Sequence, residues 1–256
     1  MATVTGIFAA MTREKIIITG ASSGLGEGMA REFAARGRSL GLASRRLDRL
    51  ESLAAELTPA ARAVAVAQLD VTDADAVPAA FGQLADELGG VDRVIVNAGL
   101  GKGAPIGTGK AAANLETVQT NLVGALAQIE AALEIFRAQN SGHLVLVSSM
   151  SAVRGLPKAQ AAYSASKAGL ATLGQGLQAE LKGTGITVTV LLPGYIETDI
   201  NRGVKTSMMT DTATGVAAMV KAIEAEPARA AVPGWPWTPI SWALRYLPDA
   251  ISARLV

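Results

Sequence analysis

The feature that most constrains the fold is a regular alternation of short apolar runs with longer segments of helical spacing. The runs are rich in β-branched and aliphatic residues, as expected for strands buried on both faces of a sheet. The segments between them place apolar residues three or four positions apart, which is typical of helices that cover such a sheet. The predicted strands are residues 15–19, 39–43, 63–67, 93–96, 143–147 and 187–191, with a weaker strand at 229–232. The predicted helices are residues 24–36, 46–57, 73–88, 114–139, 163–182 and 211–225. This order predicts an α/β fold with a doubly wound parallel sheet.

Length and composition fit a single domain. The chain has 256 residues, of which 50% are hydrophobic, enough to cover both faces of one sheet. We predict an N-terminal extension at residues 1–12, the α/β domain at 13–232, and a Trp- and Pro-rich tail of the same domain at 233–256.

Charge and composition argue against several kinds of site. A formal net charge of +1 gives no general attraction to nucleic acid or to an anionic membrane. The chain has no cysteine and one histidine, His143, which is expected to be structural, so no metal site is predicted. No apolar run reaches the length of a membrane span, and residues 1–11 lack the basic start of a signal peptide. We expect a cytoplasmic protein that acts on a small molecule, with no nucleic-acid partner and no integral membrane segment.

A glycine-rich turn, Thr-Gly-Ala-Ser-Ser-Gly-Leu-Gly at residues 19–26, joins the first predicted strand to the first helix. Glycines allow positive φ angles and close backbone approach, and the helix N-terminus offers free N–H groups to a pyrophosphate. The alternative is a tight turn without a ligand. Its position after the first strand favours dinucleotide binding by a Rossmann fold. The predicted cofactor residues in this turn are Gly20, Ser22, Ser23, Gly24, Leu25 and Gly26.

The end of the second predicted strand bears on the choice between NAD and NADP. An acidic residue there holds the ribose of NAD, whereas a basic residue can hold the 2′-phosphate of NADP. Here the strand runs into Ser44, Arg45 and Arg46 without an acid. Arg45 offers a planar guanidinium to a phosphate, so NADP(H) is predicted to be preferred over NAD, with Ser44 and Arg45 as cofactor residues. The alternative is that Ser44 caps a helix whose first turn carries solvated arginines.

Two more turns follow the third and fourth predicted strands. They contain Asp70 and Val71 in one case, and Asn97, Ala98 and Gly99 in the other. Ligands of parallel sheets collect at the carboxyl ends of the strands, so these residues are predicted to bind the cofactor. The alternatives are that Asp70 caps the next helix and that Asn97 begins an ordinary turn.

Tyr163 and Lys167 lie four residues apart and therefore share one helix face. A tyrosine has an ordinary pKa of about 10, and a nearby cation favours the phenolate. Tyr163 is therefore predicted to be a general acid or base, with Lys167 lowering its pKa. Ser148 and Ser149 follow the fifth strand, where a hydroxyl would polarise a substrate carbonyl; the alternative for either serine is a cap.

With these motifs, the chain resembles a classical short-chain dehydrogenase/reductase (SDR) over nearly its whole length. The resemblance is carried by residues 19–26, Asp70, residues 97–99, residues 120–124, the Tyr163 and Lys167 pair, and residues 193–198. It implies that Ser149, Tyr163 and Lys167 are catalytic and that Asn121 holds a water for proton relay. It also implies a homodimer or homotetramer. The segment after the sixth strand would contact the nicotinamide through Pro193, Gly194, Ile196 and Thr198.

The resemblance has one departure, because Ser149 and Tyr163 are one residue further apart than the family usually shows. Ser148 and Ser151 therefore stay open as alternatives to Ser149, and the extra residue is placed in the loop near Lys158.

The predicted function is hydride transfer between NADP(H) and a carbonyl or alcohol, as a reductase of an apolar ketone, aldehyde or 3-oxoacyl substrate. The alternatives are a non-catalytic dinucleotide-binding sensor or scaffold of the same fold, and an epimerase or dehydratase of the extended branch.

The tail at residues 233–256 gathers Trp235, Trp237 and Trp242 among several prolines. The prolines predict an irregular segment more than one continuous helix. Its aromatic residues either pack within the subunit or across an oligomer interface, or form part of the substrate pocket or a lipid contact.

Overall fold

The computed structural model describes residues 13–201, 203–204 and 206–246. Within these residues, seven strands form one parallel sheet in the order β3-β2-β1-β4-β5-β6-β7, which confirms the predicted doubly wound α/β fold. Because the order reverses between β1 and β4, a crevice opens at the carboxyl ends of these two strands. The strands are β1 (Lys15–Thr19), β2 (Ser39–Ser44), β3 (Ala63–Gln68), β4 (Arg93–Val96), β5 (Gly142–Val147), β6 (Ile186–Pro193) and β7 (Arg229–Val232).

Helices pack on both faces of the sheet, as the alternating pattern predicts. None of the helices in the described ranges is long and apolar enough to span a bilayer. The helices are α1 (Gly24–Ala34), α2 (Leu47–Leu57), α3 (Ala76–Leu88), α4 (Ala111–Val118), α5 (Gly124–Gln139), α6 (Ala161–Glu180), α7 (Thr212–Ala225) and α8 (Gly234–Tyr246).

The helix predicted at residues 114–139 differs from the observed structure. The observed helix α4 begins earlier, at Ala111, and a π-helical turn at Gln119–Val123 separates it from α5. One extra residue in a turn barely disturbs the spacing of apolar side chains, so the sequence pattern does not reveal it. Such turns recur at functional sites, and this one contains Asn121.

The prediction of an irregular tail was wrong for the described part. Residues after Trp235 are helical, and the chain breaks from helical geometry only at Trp235, with φ −101° and ψ 134°. Pro236 therefore falls in the first turn after the break, where backbone N–H groups have no intrahelical acceptor, so a proline costs little there. Pro239 lies inside the helix. The predicted extension at 1–12 and residues 247–256 of the tail lie outside the described residues.

The core consists of one apolar layer on each face of the sheet. Strand β1 shows the division, because Ile17 faces the layer with α3 and α5, whereas Ile16 and Ile18 face the layer with α1 and α7. Phe81 and Phe136 fill the first layer, which also receives Trp237 from α8.

A buried polar network lies at the amino ends of β4 and β5. The Arg93 guanidinium is 1% exposed, donates to Nδ1 of His143 at 2.8 Å, and pairs with Glu224 at 3.0 Å and with Glu226 at 3.2 Å. Nε2 of His143 lies 2.9 Å from Oγ1 of Thr189. Burial, aided by the Arg93 charge, lowers the pKa of His143 to about 3, so the imidazole is neutral at physiological pH. Because His143 lies near the amino end of β5, it is at the edge of the sheet opposite the predicted cofactor residues.

We predict that Arg93→Met lowers the free energy of unfolding by about 3 kcal/mol or more, because it leaves His143 and two carboxylates without their buried partner. Urea denaturation measures the change. Arg62, which is 71% exposed and paired with Glu14, provides the control, and Arg62→Met should cost less than about 1 kcal/mol. Equal effects of the two substitutions would contradict a structural role for the Arg93 network.

Candidate active site

The glycine-rich turn between β1 and α1 is tightly folded. Gly20 and Gly24 have φ angles of +65° and +56°, in the left-handed region that favours glycine. A Cβ atom on Gly26 would lie 2.4 Å from the carbonyl oxygen of Gly20, so only glycine allows the helix to start this close to the strand. No side chain caps α1 at Ser23. The first N–H groups of α1 are therefore not capped by Ser23, and such groups can bind an anion. All six cofactor residues predicted within residues 20–26 lie in this turn.

The turn after β4 is hydrogen-bonded to the glycine-rich turn. Oγ1 of Thr19 accepts from the backbone N–H groups of Asn97 and Ala98, both at 3.1 Å, and the Asn97 amide donates to the Thr19 carbonyl at 2.9 Å. From the other side, the Thr198 methyl lies 3.6 Å from where a Cβ of Gly24 would be. The predicted residues 97–99 and Thr198 therefore border the same crevice as the glycine-rich turn.

The two arginines after β2 differ in their contacts. Arg45 is 60% exposed and lies 3.9 Å from the Asp70 carboxylate. Arg46 points back to the glycine-rich turn and donates to Ser22 Oγ at 2.8 Å and to Ser23 Oγ at 2.7 Å. Arg46 was not predicted as a site residue, and its position directly after Arg45 was the available signal. Both arginines follow β2, the neighbour of β1, and so lie at the same edge of the sheet as the glycine-rich turn.

Asp70 and Ser44 do not cap the helices that follow them, so these two alternatives were wrong. Oδ1 of Asp70 accepts from the backbone N–H and the hydroxyl of Thr72, at 3.0 and 2.8 Å, and so stabilises a local turn; α3 begins only at Ala76. Ser44 accepts from the Arg46 N–H at 3.2 Å, one residue before α2. The Val71 carbonyl packs against Gly124, where a Cβ would lie 2.6 Å from its oxygen.

Tyr163 and Lys167 lie on α6 and face the carboxyl end of β5. Nζ of Lys167 donates to the Val147 carbonyl at 2.9 Å, and the side chain is buried. Burial lowers the pKa of Lys167 to about 8. Burial also raises the pKa of Tyr163, which a hydrogen bond with the Ser149 hydroxyl partly offsets. The expected lowering of the Tyr163 pKa by Lys167 is therefore not seen, because desolvation dominates for both groups.

Three serines follow β5, and only one of them interacts with Tyr163. Ser148 Oγ donates to the Lys167 carbonyl at 2.7 Å, and Ser151 Oγ is buried without a hydrogen-bond partner among the described residues. The Ser149 hydroxyl interacts with Tyr163 and also accepts from the Ser151 N–H at 3.1 Å. Of the three candidates, Ser149 is therefore the one whose hydroxyl lies beside the Tyr163 phenol.

Asn121 is fully buried in the π-helical turn. Its amide makes a two-point contact with Leu100, accepting from the N–H at 2.7 Å and donating to the carbonyl at 2.9 Å. A Cβ on Gly99 would lie 3.2 Å from Asn121 Oδ1 and 3.3 Å from Lys167 Nζ. Asn121 thus fixes the loop after β4 close to the Lys167 ammonium.

A cavity of about 630 Å³ opens beside these groups. Its inner end is lined by Ser149, Tyr163 and Lys167, and the loops after β4, β5 and β6 form its sides. Helix α8 forms a further wall, so part of the tail contributes to the pocket, one of the alternatives that the sequence left open. Trp235, Trp242 and Tyr246 of the same helix are exposed. The α8 residues that line the cavity are Trp237, Ile240, Ala243 and Leu244, and the predicted residues from the β6 segment that line it are Pro193, Gly194, Ile196 and Thr198.

Gly194 explains how α8 reaches the cavity. A Cβ on Gly194 would lie 2.0 Å from Cε2 of the Trp237 indole, so the ring packs directly on the glycine backbone. The Trp237 ring also packs edge to face with Tyr195, with ring centroids 5.6 Å apart. Gly194 was predicted to contact the nicotinamide, and its contact with Trp237 is a second reason for glycine at this position.

Comparison with known proteins agrees with this architecture. The family model for short chain dehydrogenases matches residues 14–209. The chain belongs to the short-chain dehydrogenase/reductase family. An uncharacterized oxidoreductase of Mycobacterium tuberculosis is 56% identical over 248 residues, which cover 95% of this chain and 98% of that protein.

Solved structures of short-chain dehydrogenases share the fold. An alcohol dehydrogenase of the archaeon Thermococcus sibiricus, complexed with 5-hydroxy-NADP, is 26% identical with a TM-score of 0.75, covering 85% of this chain and 95% of that one. A short chain dehydrogenase/reductase of Burkholderia phymatum, in complex with NAD, is 21% identical with a TM-score of 0.82, covering 96% of both chains. The family binds a nicotinamide dinucleotide, and these two neighbours hold different forms of it.

In this short-chain dehydrogenase, we predict that Gly194→Ala displaces Trp237 and costs about 1–3 kcal/mol of unfolding free energy, the usual range for overpacking. Denaturant unfolding measures the loss, and a red shift of tryptophan emission reports the displaced ring. Gly176 on α6 has open space around its Cα and is the matched control. Gly176→Ala should be neutral or stabilise by up to about 1 kcal/mol. An unchanged stability and spectrum for Gly194→Ala would show that α8 does not depend on this contact.

Proposed function

We propose that the protein is an NADP(H)-dependent oxidoreductase that interconverts a carbonyl and an alcohol. The observation that carries the proposal is the placement of Ser149, Tyr163 and Lys167 at the inner end of a cavity that also borders the glycine-rich turn. Membership of the family and the oxidoreductase relatives support it.

The residues present fit a dinucleotide. Gly20 and Gly26 leave the cradle that a Cβ would fill, and the uncapped start of α1 offers N–H groups to the pyrophosphate. Asp70, Val71 and residues 97–99 would border the adenosine and ribose, and the β6 segment with Thr198 would border the nicotinamide. When bound, the cofactor supplies or accepts a hydride.

The side chains at the inner end would handle the substrate oxygen and its proton. Ser149 donates a hydrogen bond to that oxygen, and Tyr163 donates its proton as negative charge develops there. The raised pKa of Tyr163 keeps the phenol protonated and suits proton donation. Lys167, with a pKa of about 8, exchanges protons near neutral pH and would resupply Tyr163. The position of Asn121 beside Lys167 supports a role for it in the same relay.

A preference for NADP(H) over NAD rests on the charges beside the crevice. The segment after β2 has no acidic residue and two arginines, Arg45 and Arg46, and Arg46 already contacts the turn that would hold the phosphates. A 2′-phosphate between these guanidinium groups would form charge-assisted hydrogen bonds. One of the two structural neighbours holds 5-hydroxy-NADP and the other holds NAD, so the proposed preference rests on the arginines of this chain.

An apolar ketone, aldehyde or 3-oxoacyl compound fits the cavity best. Leu156, Ile200, Ile240 and Leu244 line it, and its volume is in the usual range for small-molecule sites. A homodimer or homotetramer stays a prediction. Leu115 on α4 and Leu126 on α5 are exposed, and they offer apolar surface for such an interface.

Turnover decides between this proposal and a non-catalytic sensor. We predict that Tyr163→Phe lowers kcat by about 10² to 10⁴ because it removes the proton donor. The measurement is NADPH oxidation with the best substrate from a panel of aldehydes, ketones and acyl thioesters. NADPH binding by the variant, followed by calorimetry, should stay normal and serves as the control for folding. A variant with near-normal kcat would overturn the role of Tyr163, and a wild-type protein that binds NADPH but turns over no member would favour the sensor.

We also predict that the protein binds NADPH at least about tenfold more tightly than NADH, since a charge-assisted hydrogen bond contributes roughly 1.5–3 kcal/mol. The double variant Arg45→Ala, Arg46→Ala should abolish this difference in affinity. Each single variant should remove the part of the difference that its own arginine contributes. Arg36→Ala, just beyond the C-terminal end of α1, makes the same net-charge change as one single variant and should leave the ratio of NADPH to NADH affinity intact. Equal affinity of the wild-type protein for both cofactors would refute the assignment.

A further inference from the structure

The charges around the cavity have one sign. Among the lining residues that the structure describes, Arg154, Lys158 and Lys167 are cationic and none is acidic. Lys167 is buried at the inner end beside Tyr163, whereas Lys158 is exposed. A cleft lined by one sign of charge in low-dielectric walls attracts ligands of the opposite sign.

Lys158 is held in an unusual backbone conformation. Its φ angle is +61°, in the left-handed region that costs free energy for a residue with a side chain. The next residue is braced, because a Cβ on Gly103 would lie 2.0 Å from the Ala159 carbonyl oxygen. Strained residues of this kind persist where the surroundings fix them and cluster at ligand-binding segments. Within the described part of the chain, no ion pair or side-chain hydrogen bond involves Lys158.

The cavity lining apart from these two lysines is mainly apolar. Met150 and Leu156 contribute from the loop after β5, and Ile240 and Leu244 contribute from α8. Arg154 donates to the Leu244 carbonyl at 2.9 Å and so joins this loop to α8. The cavity therefore has a polar inner end, an apolar middle and a cationic exposed rim.

We propose that the substrate is an apolar carbonyl compound with a carboxylate at the end remote from the reacting group, and that Lys158 binds this carboxylate at the rim. The proposal rests on the proposed function, because Tyr163 marks the reacting end. The apolar middle holds the hydrocarbon part, and the ammonium of Lys158 pairs with the anion. A neutral apolar substrate would leave the Lys158 charge without a partner. The proposal thus narrows the substrate class from apolar carbonyls to apolar oxo acids.

The test compares each acid with its own neutral ester. Methyl-ketone acids from 5-oxohexanoate to 11-oxododecanoate and their methyl esters are assayed with NADPH. At the best chain length, kcat/KM for the acid should exceed that for the ester about two- to fivefold, because an exposed ion pair contributes up to about 1 kcal/mol. Lys158→Met should bring the acid-to-ester ratio close to one, and Lys158→Arg should retain most of the preference. Raised ionic strength should reduce the ratio, since the pair is exposed.

Lys182→Met, an exposed change of the same net charge beyond the end of α6, is the control and should leave the ratio unchanged. A wild-type ratio near one, or a ratio that Lys158→Met does not alter, would overturn the proposal while leaving the oxidoreductase function intact.

Binding without turnover separates the two proposals. Calorimetric titration with octanoate and decanoate, against octan-1-ol and decan-1-ol, should show tighter binding of the carboxylates that Lys158→Met removes. If this result appears but no carbonyl compound is reduced, the proposed function fails and the carboxylate site stands. If the carboxylates bind no better than the alcohols, the site is refuted whether or not carbonyl compounds are reduced.

Discussion

The hydrogen bonds between Thr19 and the turn at Asn97 and Ala98 are the interaction on which the candidate site depends. They join the carboxyl ends of β1 and β4 at the point where the strand order reverses, and they hold the glycine-rich turn against the turn after β4. Parallel pairing then brings the end of β5, with Ser149, to the same edge. Helix α6 crosses behind this edge and presents Tyr163 and Lys167. A single side-chain oxygen thus helps to bring together motifs that are far apart in the sequence.

The two ends of the sheet meet different demands with the same strands. At the amino ends of β4 and β5, Arg93 and His143 are buried with hydrogen-bond partners, so their polar groups are satisfied internally and contribute to a fixed core. At the carboxyl ends, Lys167 is also buried, but among the described residues its ammonium donates only to the Val147 carbonyl, and burial lowers its pKa to about 8. A buried cation with so little compensation costs stability in the protein alone and suits a group that exchanges protons. Polar burial is therefore compensated by partners at one edge of the sheet and largely uncompensated at the other.

The elements that sequence reasoning predicted are those with a local or periodic cause. Strand runs such as Ile16 to Ile18 and the left-handed glycine Gly20 leave direct marks in the sequence, and both were found where predicted. Arg46, the helix after Trp235 and the π-helical turn were missed because tertiary contacts or single-residue shifts determine them. The direction of the Tyr163 pKa was also missed, since the spacing of Tyr163 and Lys167 shows proximity but not the depth of burial, which dominates here.

The walls of the cavity come from segments that the sheet does not constrain. The loop around Lys158 is positioned by contact with Gly103, and α8 by the packing of Trp237 on Gly194, so both depend on glycines in neighbouring loops. A change in either loop would reshape the cavity without disturbing β1, β4, β5 or the residues at their ends. The inner end and the rim can therefore vary independently, because one is fixed by strand pairing and the other by loop contacts. For this reason the reaction class can be argued from the motifs, whereas the substrate has to be argued from the charges and apolar surfaces that the loops place around the cavity.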